Sequence, residues 1–192
     1  MKKGFTIIEV SILFVIFLIV ALLVIPLSLD DSIQAQNTSK WHSVQSDFAN
    51  IFYTINTQRD KEDFNFQDAF NATIASDIKD PAQTYKITFL NGTYPSSTYR
   101  FEDFYTTNSH AIISVKWNNN QDSEIKGYLM YDVNGNKSPN VWGRDVFGYN
   151  IYIDRFEPFG KNEPASVQNQ DCSKNGTGLS CSNWYLIGGS FK

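Results

Sequence analysis

Apolar positions are spread unevenly along this chain. Residues 5–29 carry 20 hydrophobic side chains in 25 positions, and after Glu9 no charge appears until Asp30. A run with no polar face is the pattern of a helix that meets apolar surroundings on every side. At 1.5 Å per residue it measures roughly 37 Å, enough to cross ~30 Å of hydrocarbon. Asp30-Asp31-Ser32 ends the run. Further on, Trp41, Val44, Phe48, Ile51, Phe52 and Ile55 recur at steps of three and four, which predicts an amphipathic continuation of the helix over 30–58. The remainder, 59–192, reads as a globular head. It opens with a connection in which Phe66, Phe70, Ile74 and Ile78 share one face of a short helix.

Beyond Thr84 the period changes. Short runs of β-branched and aromatic residues predict strands at 85–90, 98–105, 111–117, 125–131 and 146–154. Asn91-Gly92, Asn118-Asn119-Asn120 and Asn134-Gly135 mark turns between them. Short links between successive strands favour an antiparallel meander, and the lack of a β-α-β rhythm disfavours dinucleotide-binding and TIM-barrel folds. The expected class is α+β, with a long N-terminal helix packed on an antiparallel sheet.

Composition sharpens this. The residues after Leu29 hold all 4 Trp, all 10 Tyr and 12 of the 15 Phe, so the head builds its core from aromatics and is not disordered. Some 160 residues suit one domain. With Lys2 and Lys3 set aside, 14 basic side chains face 20 acidic ones and form no further basic cluster. No nucleic acid is expected to bind through bulk charge.

The first ten residues, Met-Lys-Lys-Gly-Phe-Thr-Ile-Ile-Glu-Val, carry the most specific signal. A secretory signal has a shorter apolar region and an A-x-A-like cut site, which this run lacks. Lys2 and Lys3 place the N-terminus in the cytoplasm by the positive-inside rule and send the head across the membrane. Glu9 is the anomaly, because a carboxylate within a span costs ~2.5–3.5 kcal/mol and calls for a partner. A cut between Gly4 and Phe5 would create an α-amino group four residues from Glu9, close enough to pair within one helix or between neighbouring helices.

This start resembles the class III leader of type IV pilins and type II secretion pseudopilins: a short basic leader ending in Gly4, then Phe5, Thr6-Ile7-Ile8 and Glu9. The resemblance implies a type IV pilin-like fold. It implies cleavage after Gly4 by a prepilin peptidase, methylation of Phe5, and neutralisation of a neighbour's N-terminus by Glu9 during filament assembly. The family's helix-bending proline matches Pro26, the twenty-second residue from Phe5. Residues 1–4 would be the leader and 5–29 the transmembrane and filament-core helix. The chain would sit in the inner membrane, then move through an assembly platform into a periplasmic or cell-surface filament with copies of itself and other pilins. Within that picture it reads as a major or minor pilus subunit. A secretion pseudopilin, or an adhesin or DNA-uptake tip module carried on a pilin helix, are the alternatives.

Two further constellations stand out. The stretch 132–145 concentrates oxygen ligands, with Asp132, Asn134 and Asn136 alternating as at the start of an EF-hand and Asp145 closing it. The glycine falls two places early and Gly143 stands where the closing Glu belongs, so an EF-hand is rejected. A turn capped by its own Asn and Asp side chains and a Ca²⁺ site both fit. Ca²⁺ is the one cofactor suggested, since some pseudopilins bind it in a C-terminal loop. Cys172 and Cys181 enclose eight residues, and in an exported head they are expected to form a disulfide around a polar loop, as many pilins do. His42 and His110 lie in no nucleophile pattern, and the G-x-S-x-G, Walker, H-E-x-x-H and C-x-x-C motifs are all absent. No enzymatic activity is expected. The sequons at Asn37, Asn71, Asn91 and Asn175 carry little weight in so Asn-rich a chain.

Overall fold

A computed structural model describes residues 7–60, 62–75, 77–82, 86–120 and 122–191. The chain divides into two compact units, 1–36 and 37–192. One helix, α1, runs Ile7–Asn56, so the apolar run and the amphipathic continuation are a single element. Among the described residues no helix is long and apolar enough to cross a membrane. The expected span 5–29 includes Phe5 and the side chains of Leu23 and residues 25–29, which lie outside the described residues.

In the second unit, α1 is followed by α2 (Phe66–Ala75) and six strands: β1 Ile78–Pro81, β2 Tyr105–Thr107, β3 Ile112–Trp117, β4 Gly127–Asp132, β5 Val146–Ile151 and β6 Phe156–Pro158. They form one antiparallel sheet in the order β1-β2-β3-β4-β5-β6, the meander expected from the short links. Two short helices close the chain, α3 (Ala165–Asp171) and α4 (Cys181–Leu186).

The amphipathic face of α1 seats on this sheet through aromatic rings. Trp41, fully buried, lies 4.9 Å from Phe147 and 4.8 Å from Tyr149 between ring centroids, and its Nε1 donates to the Ser182 carbonyl at 2.8 Å. Phe48 meets Tyr131, Tyr149 and Phe156 at 5.3–5.9 Å. On α2, Phe70 packs edge-on against Trp117 at 5.2 Å. Offset and edge contacts of this kind add ~0.5–1.5 kcal/mol each beyond the area they bury.

The other face of the sheet is buried too. Ile112, Met130 and Val146 point into a second cluster made by Ile87, Phe89, Phe101, Phe104, Trp142 and Phe159. Two expected strands, 85–90 and 98–105, turn out to supply this layer as irregular chain. Thr88 makes only an isolated bridge to Val141, Ser97–Tyr99 is a 3₁₀ turn, and of 98–105 only Tyr105 enters the sheet. Their alternating aromatics satisfy a burial requirement that a loop over the sheet meets as well as a strand does. In the opposite direction, β1, β6, α3 and α4 were not foreseen, and Ile78 belongs to β1 rather than to the short helix. Both edge strands end in proline, at Pro81 and Pro158, which cannot extend a ladder and so blunts the sheet edges.

Candidate functional site: an apolar helix, an asparagine-rich turn and a disulfide loop

The first unit presents apolar side chains around the whole helix. From Ile7 to Val24, fourteen large hydrophobic residues are each at least 44% exposed, reaching 88% at Ile7 and 73% at Leu22. Glu9 sits in the first described turn of α1. Ser11 returns its hydroxyl to the Ile7 carbonyl at 2.9 Å. Gly4 and Phe5 lie outside the described residues, as does the side chain of Pro26, whose backbone continues α1.

The turn 132–145 leaves β4 and returns as β5, and its two aspartates are fully buried. Asp145 Oδ2 accepts from Asn134 Nδ2 at 3.0 Å and from the Asn140 amide at 2.9 Å; Oδ1 accepts from the Val141 amide at 2.7 Å. Asp132 Oδ1 accepts from the Asn134 amide at 3.0 Å. Burial raises the Asp145 pKa, while the N–H donors of Val141, Asn140 and Asn134 pull it back down. Asn136 is exposed. The Asn134 and Asn140 side-chain oxygens are buried without hydrogen-bond partners. Ca²⁺ needs six to eight oxygens with carboxylates among them, and here the carboxylates face N–H donors. Among the described residues no group of three or more His, Cys, Asp or Glu is placed to hold a metal. As folded, Asp132, Asn134 and Asp145 make a self-capped turn, and Asn136 stands exposed outside that hydrogen-bond set.

Cys172 and Cys181 form a disulfide with Sγ atoms 2.04 Å apart. For so short a ring the loop-entropy contribution is about 2–3 kcal/mol. Asp171, beside Cys172, holds the ring from within: its carboxylate accepts from the Thr177 amide at 2.6 Å, the Thr177 hydroxyl at 2.8 Å and the Ser180 amide at 2.9 Å. The sequence treats this ring and the asparagine-rich turn as separate; the fold brings them together. Gly143 has φ +81, and a Cβ there would fall 2.6 Å from Cys181 Sγ. Tyr185 Oη donates to the Gly143 carbonyl at 2.9 Å. Only glycine fits that contact, for both its conformation and its space.

A third polar cluster was not foreseen. Glu157 on β6, 6% exposed, accepts from Arg155 Nε at 2.9 Å and Asn162 Nδ2 at 3.2 Å, with Lys161 Nζ at 3.4 Å. Burial works against its charged form, but the hydrogen bonds from Arg155 and Asn162 and the charge of Lys161 outweigh burial and lower its pKa. A lowered folded value means the stabilisation is present above the ordinary Glu pKa and is lost as pH falls through the folded one. Glu157→Gln should therefore destabilise the head at pH 7 and cost less at pH 3. Urea melts followed by Trp fluorescence at both pH values check this, and an equal cost at both would refute the ionised role.

His42 is exposed on α1, and His110 is exposed in the β2–β3 turn, 68 residues away in the chain. Comparison with protein-family models, curated protein sequences and solved structures finds no match.

Proposed function

We propose that this chain is a prepilin, the structural subunit of a type IV pilin-like filament, cut after Gly4, methylated at Phe5 and assembled through α1. The observation that supports this most is the contrast along one helix. From Trp41 onward α1 is seated in an aromatic core, whereas from Ile7 to Val24 its apolar side chains are exposed on all sides. Burying a large apolar side chain is worth ~1.5–3 kcal/mol, so fourteen of them represent tens of kcal/mol that water cannot supply. Lipid would cover them before assembly and neighbouring helices afterwards, with Glu9 and the Phe5 amine setting the register between subunits. The disulfide ring and the blunted sheet edges suit a head that is exported and crowded beside its copies.

The leader gives the direct test. In cells with a prepilin peptidase, the mature chain should lack residues 1–4 and gain one methyl group by intact mass. Gly4→Leu should leave the full-length precursor. An unprocessed wild-type chain, or normal processing of Gly4→Leu, would remove the basis of this reading.

A further inference from the structure

A groove of about 550 Å³ opens on the head between α1, the β2–β3 turn and the asparagine-rich turn. Three cationic or protonatable side chains line it, Lys40 from α1, His110 from the β2–β3 turn and Lys137 from the asparagine-rich turn. No Asp or Glu is among the lining residues, although the whole chain is acidic, at −4. Asp132 and Asp145, next to the lining asparagine-rich turn, are fully buried and accept from N–H groups of that turn, and Asp80 is exposed on β1 next to the lining Pro81. Ser109 and Asn136 add a hydroxyl and an amide to the lining, and Pro81 and Ala82 add accessible apolar surface, whereas Ile112 is buried in the reverse-face cluster.

The walls are built rather than accidental. Lys40 Nζ donates to the Val133 carbonyl at 3.2 Å, which ties α1 to the asparagine-rich turn. His110 is held at φ 65, a left-handed conformation, with its amide bonded to the Thr107 carbonyl at 2.9 Å. Gly135, at φ +72, lies so close that a Cβ there would run into the His110 carbonyl oxygen. The two turns thus pack back to back, and that contact places His110 and Lys137 on the same groove. Left-handed backbone at a non-glycine residue is sparsely populated and persists where the surroundings impose it, often at a binding site.

We propose that this groove binds a carboxylated saccharide, a uronate-type unit, with its carboxylate on Lys40, His110 and Lys137 and its hydroxyls on Ser109 and Asn136. The volume lies within the ~300–1,000 Å³ of small-ligand sites, and a sugar ring offers an apolar face to Pro81 and Ala82 while its hydroxyls need amide and hydroxyl partners. The stretch that the sequence singled out for a cation would then serve an anion. This inference concerns the head alone and does not depend on how the apolar end of α1 is used.

The test is calorimetric titration of the full chain in detergent micelles with oligogalacturonate and, in parallel, a neutral galactose oligomer. Saturable binding of the uronate alone, weakened by added salt, is expected. Lys137→Ala and His110→Asn should each weaken it about 5–10-fold, equivalent to about 1–1.4 kcal/mol. Asn is chosen at 110 because it tolerates φ > 0. Lys174→Ala, in the disulfide ring, should leave binding unchanged, and matching melting temperatures keep the comparison on binding. Equal binding of the neutral oligomer, or an equal loss in Lys174→Ala, would overturn the proposal. So would absent uronate binding together with self-association that Lys137→Ala abolishes, which would give the groove to an acidic segment of a second copy.

Discussion

Glu9→Val is expected to insert in the membrane and to be processed normally, yet to lower filament yield by roughly 10²-fold. A carboxylate within lipid costs ~2.5–3.5 kcal/mol, and in the proposed filament pairing it with the amine at a neighbour's Phe5 would remove that cost on assembly. Valine has nothing to relieve, so the difference between membrane and filament shrinks by this amount, about two decades in an equilibrium constant. Glu9→Gln separates charge from shape: it keeps the side-chain volume but cannot form the ion pair, and it should assemble as poorly as Glu9→Val. Immunoblots of sheared filaments against whole-cell subunit are the measurement. Wild-type yield in either variant would refute the register role, and loss of the processed subunit itself would show that Glu9 acts earlier.

Asp145→Ala is expected to destabilise the head by about 3–5 kcal/mol. The carboxylate is fully buried and serves three N–H groups, from Asn134, Asn140 and Val141. Each buried donor left without an acceptor costs ~1–3 kcal/mol. Asp145→Asn keeps one acceptor oxygen and should cost less. Its pH dependence has a definite sign. Burial raises the Asp145 pKa, so the folded chain holds the proton more readily than the unfolded one. That contribution is present below the ordinary Asp value near ~3.9 and is lost as pH rises through the folded one, so the deficit of Asp145→Asn should shrink between pH 4 and pH 7. Urea melts of wild type and both variants across that range check it; a deficit that grows with pH would show that the charged form is the favoured one. Equal melting temperatures in EDTA and in millimolar Ca²⁺ are expected for the self-capped turn.

The asparagine-rich turn shows why its role was ambiguous in sequence. Asp132, Asn134, Asn136 and Asp145 have the right chemistry for a hard cation, and oxygen content is what a sequence displays. Whether an oxygen points at an ion or at an amide depends on the backbone between them. Here that backbone turns its N–H groups inward on Asp145, and Gly143 brings it against the disulfide. The edge strands were missed for a related reason. Three or four residues ending in proline carry no periodic signal of their own, and β1 and β6 are ordered by the neighbours they pair with.

Local pattern was enough for the long helix, the central strands β3, β4 and β5, the antiparallel order and the cysteine pair, because each depends on periodicity, turn residues or proximity in the chain. The reverse-face aromatic layer, the Glu157 cluster, the contact of Gly143 with Cys181 and the groove between Lys40, His110 and Lys137 were decided only in three dimensions. Those residues are far apart along the chain, and no single segment carries a trace of the partner that folding sets beside it.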